Sequence, residues 1–167
     1  GVRVNLAPVA DTVPPGVSNP PIGAFGRQYG SDPATVATHA AAFAAGLADA
    51  GVVPTAKHFP GLGRVGANTD VSSGVTDRVT TRTDPYLAPF RAVIRTGHPF
   101  VMMSSAVYSR IDPAQPAAFS PTVITGLLRG DLGFDGVVVS DDLGAARQVS
   151  AVAAGDRAVR FVAAGGD

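Results

Sequence analysis

Gly136-Val137-Val138-Val139-Ser140-Asp141-Asp142 is the stretch on which the fold turns. Three consecutive valines do not alternate with polar residues, as a strand with one wet face would. They fit a strand buried on both faces, the kind found in a parallel sheet covered by helices. The run stops abruptly on two carboxylates. Asp141 therefore stands at the carboxyl end of a buried strand, at the rim of a low-dielectric core, where a charged group needs a partner. The alternative is that Asp142 or Asp141 merely N-caps the next helix.

Upstream of this strand the same unit repeats. Val2 to Val9 reads as a strand that runs into a long loop rich in proline and glycine. Asp32-Pro33 supplies an N-cap and a first-turn proline for a helix to about Ala50, with Val36, Phe43 and Leu47 as its buried stripe. Val52 to His58 is the second strand, and a loop without apolar period follows it to about Thr83; a loop of that length is usually functional. Asp84-Pro85 begins a helix to Arg95, Pro99 to Ser104 is a third strand, and Ser120-Pro121 opens a helix ending near Leu132. After Gly136 to Ser140, the last helix is expected from Leu143 to Ala164. The order is strand then helix, four times over, which predicts an α/β fold with a parallel sheet. Four such units are half of an eight-unit barrel, or enough for an open doubly wound sheet, and periodicity does not choose between them.

Composition narrows the chemistry. Among 167 residues, 13 basic and 13 acidic side chains cancel, and 46% of the chain is hydrophobic. The charges are scattered without runs, so no footprint for nucleic acid or an anionic membrane is present, and a neutral partner such as a sugar fits better. There is no cysteine, which removes disulfides and thiolate chemistry. Every acid is an aspartate and Lys57 is the only lysine, so any carboxylate chemistry falls to Asp. No stretch has the ~18 apolar residues of a membrane span. The chain opens directly on a strand and stops at a helix end, and reads as an excerpt.

Polar groups collect at the carboxyl end of each strand: Asp11 after the first, Lys57-His58 at the second, Ser104-Ser105 at the third, Asp141-Asp142 at the fourth. Active sites of parallel α/β folds are built on that edge. Chance accounts for one such residue more easily than for four. Lys57 and His58 place a cation and an imidazole side by side before a sharp Pro60-Gly61 turn; the plain alternative is a solvated lysine and a core histidine. Lys57 or a loop arginine would keep Asp141 ionised, as a nucleophile must be. Arg27 lies between Gly26 and Gly30 with donors suited to sugar hydroxyls, or is surface decoration. His39 and His98 read as structural. The glycines from Gly61 to Gly66 lack the pattern of a phosphate loop.

With these residues in view, the chain resembles glycoside hydrolase family 3, in its bacterial β-N-acetylglucosaminidase subgroup, along nearly its whole length. Asn5-Leu6-Ala7-Pro8-Val9-Ala10-Asp11 is similar to the family's strand ending in an aspartate, and Ile22 to Pro33 to its arginine-bearing loop. Lys57-His58-Phe59-Pro60-Gly61 is the subgroup's signature, and Gly133 to Leu143 matches the segment carrying its nucleophile. The resemblance implies a (β/α)8 TIM-type barrel of which this chain supplies about half, in four βα units, as a partial N-terminal catalytic domain over residues 1–167. It implies no metal or cofactor and a retaining mechanism on N-acetylglucosaminyl muropeptides or related β-linked wall fragments. Asp141 would be the nucleophile, and Arg27, Lys57, His58 and Asp11 would bind the sugar. It also implies a place outside the cytoplasmic membrane, in the cell envelope, some members being lipoproteins.

One departure bears on the mechanism. The subgroup places a histidine after Pro-Gly and then an Asp-Ser-His triplet whose Asp and His share the acid/base role. Here Leu62 replaces the first histidine and Asn68-Thr69-Asp70 stands in the triplet's place. Three explanations follow: Asp70 is itself the acid/base; the proton donor lies in a part of the chain beyond these residues; or the protein is a catalytically weak sugar-binding or regulatory barrel. The first is preferred, because a carboxylate there is chemically competent. A metal-dependent hydrolase using Asp11, His58 and Asp141 is disfavoured, since no His-x-x-x-His or Glu-x-x-His pair is present.

Overall fold

The computed structural model describes residues 1–167. In chain order its strands are Val4–Asn5 (β1), Val53–Phe59 (β2), Thr76–Asp77 (β3), Phe100–Met103 (β4), Val107–Tyr108 (β5), Asp112–Pro116 (β6) and Val138–Ser140 (β7). The helices are Pro33–Asp49 (α1), Ala88–Ile94 (α2), a wide-turn π-type helix at Thr122–Asp131, and Ala154–Ala163 (α3). Two of them start at a side-chain cap that the sequence supplies. Asp32 accepts a hydrogen bond from Thr35 N at 2.8 Å ahead of Pro33, and Ser120 Oγ accepts one from Val123 N at 3.1 Å.

β1, β2, β4 and β7 form one sheet in that order, parallel throughout. Strand order therefore follows chain order without reversal. A doubly wound sheet must reverse at a switch point; steady succession in one direction is how a barrel wall grows. The chain is about half of a (β/α) barrel. Residues from the helices and the sheet pack into one buried cluster that includes Phe59, Phe90, Val101, Met103, Ile124, Leu127, Leu128 and Val138. Phe59 of β2 meets Phe90 of α2 edge to face, with ring centroids 5.3 Å apart, a geometry contributing about 0.5–1.5 kcal/mol beyond area burial.

Four expectations are corrected. The first strand does not run unbroken from Val2 to Val9. Its backbone follows β2, with Thr55 N donating to Ala7 O and Lys57 N to Pro8 O, but Pro8 has no N–H to return and only Val4–Asn5 pairs as a ladder. Phe43 is 40% exposed; the buried stripe of α1 is Val36, Ala40 and Ala44. The last helix begins at Ala154, not near Leu143, because Asp142 Oδ1 accepts from Gly144 N (2.7 Å) and Ala145 N (2.9 Å) and closes a turn there instead. The valine run of β7 is not wholly buried: Val138 is, while Val137 is 38% exposed, since β7 has a neighbour on one side only.

A second sheet, β3-β5-β6, lies within the loops that follow β2 and β4. β3 pairs parallel with β5, which pairs antiparallel with β6. It braces the carboxyl-end loops. Tyr108 of β5 is fully buried and donates its hydroxyl to Gly61 O at 2.8 Å; burial pushes its phenol well above the ordinary value.

Candidate active site

At the end of β2 the chain turns through Pro60, Gly61, Leu62 and Gly63 against the segment after β1. Gly63 is required there: a Cβ would overlap the Thr12 carbonyl. This contact brings Asp11 beneath the turn. Asp11 Oδ1 accepts from Leu62 N at 2.6 Å and from His58 N at 3.2 Å, and Oδ2 lies 2.7 Å from His58 Nδ1. Asp11 is completely buried and His58 nearly so. The expectation that Asp11 touches a sugar is thus corrected. With both oxygens engaged by protein and no exposed surface, it orients His58 and the turn. The Leu62 side chain packs in the core while its carbonyl accepts from Asn19 Nδ2 at 2.8 Å.

His58 turns its other ring nitrogen to Asp141. Nε2 stands 3.8 Å from Asp141 Oδ2, too far for a direct hydrogen bond. Asp141 N donates to Met103 O at 3.2 Å, which continues the β4–β7 ladder one residue past Ser140. Its Oδ1 accepts only from the next N–H, Asp142 N, at 2.9 Å. Oδ2 is left with no hydrogen-bond partner, and the side chain is 30% exposed. Asp142 points away from this chemistry and caps its turn.

Lys57 is half-buried, and burial lowers its pKa from the ordinary lysine value; the nearby Arg27 guanidinium lowers it further, while Asp141 and Asp11 oppose the shift. Lys57, Arg27, Asp141 and His58 therefore share one electrostatic neighbourhood. Arg27 is exposed and donates Nη1 to Pro21 O at 2.9 Å, leaving its remaining donors free. The Arg27 loop is fixed by Asn19, whose Oδ1 accepts from Ile22 N (3.0 Å) and Gly23 N (2.9 Å) while Nδ2 reaches Leu62 O and Val65 O. Sequence reading missed Asn19; its only signal is an amide in a proline-rich loop.

Asp70 sits in the loop between β2 and β3, exposed, with Asn68 Oδ1 accepting from its N–H at 2.8 Å. Of the three groups Asp141, Lys57 and His58, Asp141 is the one with a partly exposed carboxylate, at 30%, while the His58 side chain is 5% exposed. Two cations, an oriented imidazole and a carboxylate with a free oxygen suit an oxygen-rich neutral ligand and nucleophilic attack on it. A metal ion suits them poorly, because Asp11 and His58 Nδ1 are spent on each other and no trio of His, Asp, Cys or Glu converges. No helix is long and apolar enough to cross a membrane.

Comparison with known proteins places the chain among glycoside hydrolases. The chain is 41% identical to a β-hexosaminidase of Stenotrophomonas maltophilia over 152 residues, 90% of this chain and 44% of that protein. A crystal structure of β-N-acetylhexosaminidase from Beutenbergia cavernae superimposes with a TM-score of 0.97 at 54% identity, covering 100% of this chain and 50% of the other. NagZ from Neisseria gonorrhoeae in complex with N-trifluoroacetyl-D-glucosamine gives a TM-score of 0.80 at 33% identity over 98% of this chain and 45% of that one. The chain spans about half the length of the curated relatives it matches. Residues 1–167 match the glycosyl hydrolase family 3 N-terminal domain from end to end, and the chain belongs to that family.

Proposed function

We propose that the protein containing this half-barrel is a retaining β-N-acetylhexosaminidase that releases terminal β-linked N-acetylglucosamine from peptidoglycan-derived sugars. The reading is carried by the free Oδ2 of Asp141 at the mouth of the sheet, facing His58 and within the field of Lys57. The names of the relatives support the sugar.

Arg27, Lys57 and His58 bind and orient the aminosugar. Asp141 Oδ2 attacks the anomeric carbon as the glycosidic C–O bond breaks, and the departing oxygen takes a proton from the Asp70 carboxylic acid. Water then attacks the same carbon, returns its proton to the Asp70 carboxylate and frees Asp141. Two inversions give net retention, each through an oxocarbenium-like transition state.

Turnover of an aryl β-N-acetylglucosaminide tests the proposal. Asp141→Asn should lower kcat on the order of 10³-fold or more; an unchanged rate would refute it. A second reading, a sugar-binding barrel with weak catalysis, is favoured by Asn68, whose amide oxygen is spent on the Asp70 turn where the subgroup has its dyad aspartate. Calorimetric binding of N-acetylglucosamine without turnover by the native protein would select it.

A further inference from the structure

The loop that carries Asp70 is tied to the loop that follows Asp141. Between β2 and β3, residues 66–75 contain no helix or strand, and Asp70, Val71, Ser73 and Gly74 are exposed. Four hydrogen bonds nevertheless fasten this loop to one dipeptide. Arg147 N donates to Asp70 O at 3.0 Å and Gln148 N to Thr69 O at 3.0 Å. The Gln148 carboxamide then grips Val75, accepting from its N–H at 2.8 Å and donating to its carbonyl at 3.2 Å. In effect a side chain supplies the two bonds a neighbouring strand would supply.

The dipeptide is itself held. Arg157 of α3 is buried and donates Nη1 to Leu143 O and Gly144 O at 2.7 Å each, and Nε to Val152 O at 2.7 Å. With the Asp142 turn at one end and Arg157 behind it, the stretch from Asp141 to Gln148 is a braced loop. The braced backbone from Asp141 to Gln148, with the bonds that Arg147 and Gln148 make to Asp70 and Thr69, therefore links the attacking carboxylate to residue 70.

We infer that Gln148 is a positioning residue that sets the place of Asp70 relative to Asp141 before substrate arrives. The inference rests on the reading of Asp70 as acid/base. A retaining pair must hold its carboxyls about 5–5.5 Å apart, and misplacement by about 1 Å costs on the order of 10²-fold. An exposed loop without regular structure does not maintain that spacing unless something pins it. Both polar ends of the Gln148 carboxamide are occupied by Val75, so its effect passes through the loop and not through contact with sugar.

The test compares two substrates in the full protein. A 2,4-dinitrophenyl glycoside needs no proton to depart, whereas a disaccharide does. Gln148→Ala should lower kcat/KM for the disaccharide about 10- to 100-fold while kcat/KM for the dinitrophenyl glycoside, which stops at departure of the aglycone and leaves out the base-assisted water step, changes by less than about threefold. The second substrate also reports that the variant is folded. Arg147→Pro offers an independent cut, removing the one N–H that holds Asp70 O. Arg147 opens a one-turn helix after an extended Ala146 (φ −59°, ψ 121°), where proline is accommodated; the same selective loss is expected. Gln148→Ala added to Asp70→Ala should cost nothing further on the disaccharide. Equal losses on both substrates, no loss on either, or additive losses in the double variant would overturn the role of Gln148. If Asp70→Ala alone shows no preference for the poor leaving group, the acid/base reading fails and takes this inference with it; a selective Asp70→Ala beside an unselective Gln148→Ala overturns the inference alone.

Discussion

Asp11 grips His58 from two directions, with Oδ2 2.7 Å from the ring Nδ1 and Oδ1 accepting the His58 backbone N–H at 3.2 Å. An ionised carboxylate only accepts, so in the neutral ring the proton sits on Nδ1. Nε2, the nitrogen that faces Asp141, then offers a lone pair, and a sugar hydroxyl would donate to it.

Asp11→Asn should invert that arrangement while keeping the fold. The amide oxygen still accepts from His58 N and Leu62 N, but the NH2 now faces Nδ1 and drives the proton to Nε2. Loss of the preferred tautomer is expected to lower kcat/KM about 10- to 100-fold with little change in Tm. Asp11→Ala strands two buried backbone N–H donors, those of His58 and Leu62, together with the His58 ring Nδ1–H, and should destabilise by about 3 kcal/mol. Steady-state kinetics and urea unfolding separate the two effects. Equal stability losses in both variants would argue against the tautomer account.

Much of this site is legible from residue type, and the rest depends on direction. Val137 to Asp141 reads as a buried strand delivering a carboxylate because three consecutive valines followed closely by a charge leave few other arrangements. Lys57 stands out as the only lysine. Asp11 reads as a site residue, yet nothing local tells that its carboxylate points down to His58 and Leu62 instead of out to a ligand. That outcome depends on the close passage of Gly63 over Thr12, a contact across 51 positions. β3 and β5 are two residues long and β6 carries two prolines, so no period marks the small sheet. Gln148 meets Val75 from 73 positions away, through an amide that any exposed helix could carry.

Lys57 should show opposite effects on stability and activity. Its folded pKa lies below the ordinary lysine value because burial and Arg27 disfavour the cation. Between the lowered and the ordinary value the unfolded chain binds more protons, so stability rises with pH across that window. At neutral pH the full penalty of holding the charged group is present. Lys57→Met is expected to be more stable than the native protein at pH 7, with that advantage shrinking as pH rises through the window. Its kcat/KM should fall about 10- to 100-fold, the worth of a hydrogen bond from a charged donor. In the native protein the alkaline limb of kcat/KM should lie below the ordinary lysine range near ~10.4, and Lys57→Arg should remove it. Thermal melts and pH–rate profiles of the three proteins decide; a Lys57→Met protein less stable at pH 7 would contradict the burial account.

Arg64 joins the segments on either side of the Asp70 loop, and its loss should be felt first in stability. The guanidinium pairs with Asp84 at 2.8 Å, donates to Thr80 Oγ1 at 2.7 Å, and lies 3.9 Å from the centroid of the Tyr86 ring. Asp77, fully buried in side chain, stands 3.9 Å away and accepts from Val79 N, Thr80 N and Thr80 Oγ1. One side chain after β2 thus secures β3 and the start of α2. Arg64→Met removes the only cation facing two largely buried carboxylates. Breaking a fully buried pair costs about 3–5 kcal/mol; the Arg64 side chain is 13% exposed, so about 2–4 kcal/mol is expected. Arg64→Lys keeps the charge but loses the planar fork and the stacking on Tyr86, and should recover less than half of that. Replacing Asp84 as well, in Arg64→Met/Asp84→Asn, should be less destabilising than the sum of the single changes, because the second removes the charge left unpaired by the first. Urea unfolding of the four proteins measures the coupling. Strict additivity would show that Arg64 holds this junction through packing on Tyr86 and not through its ion pair.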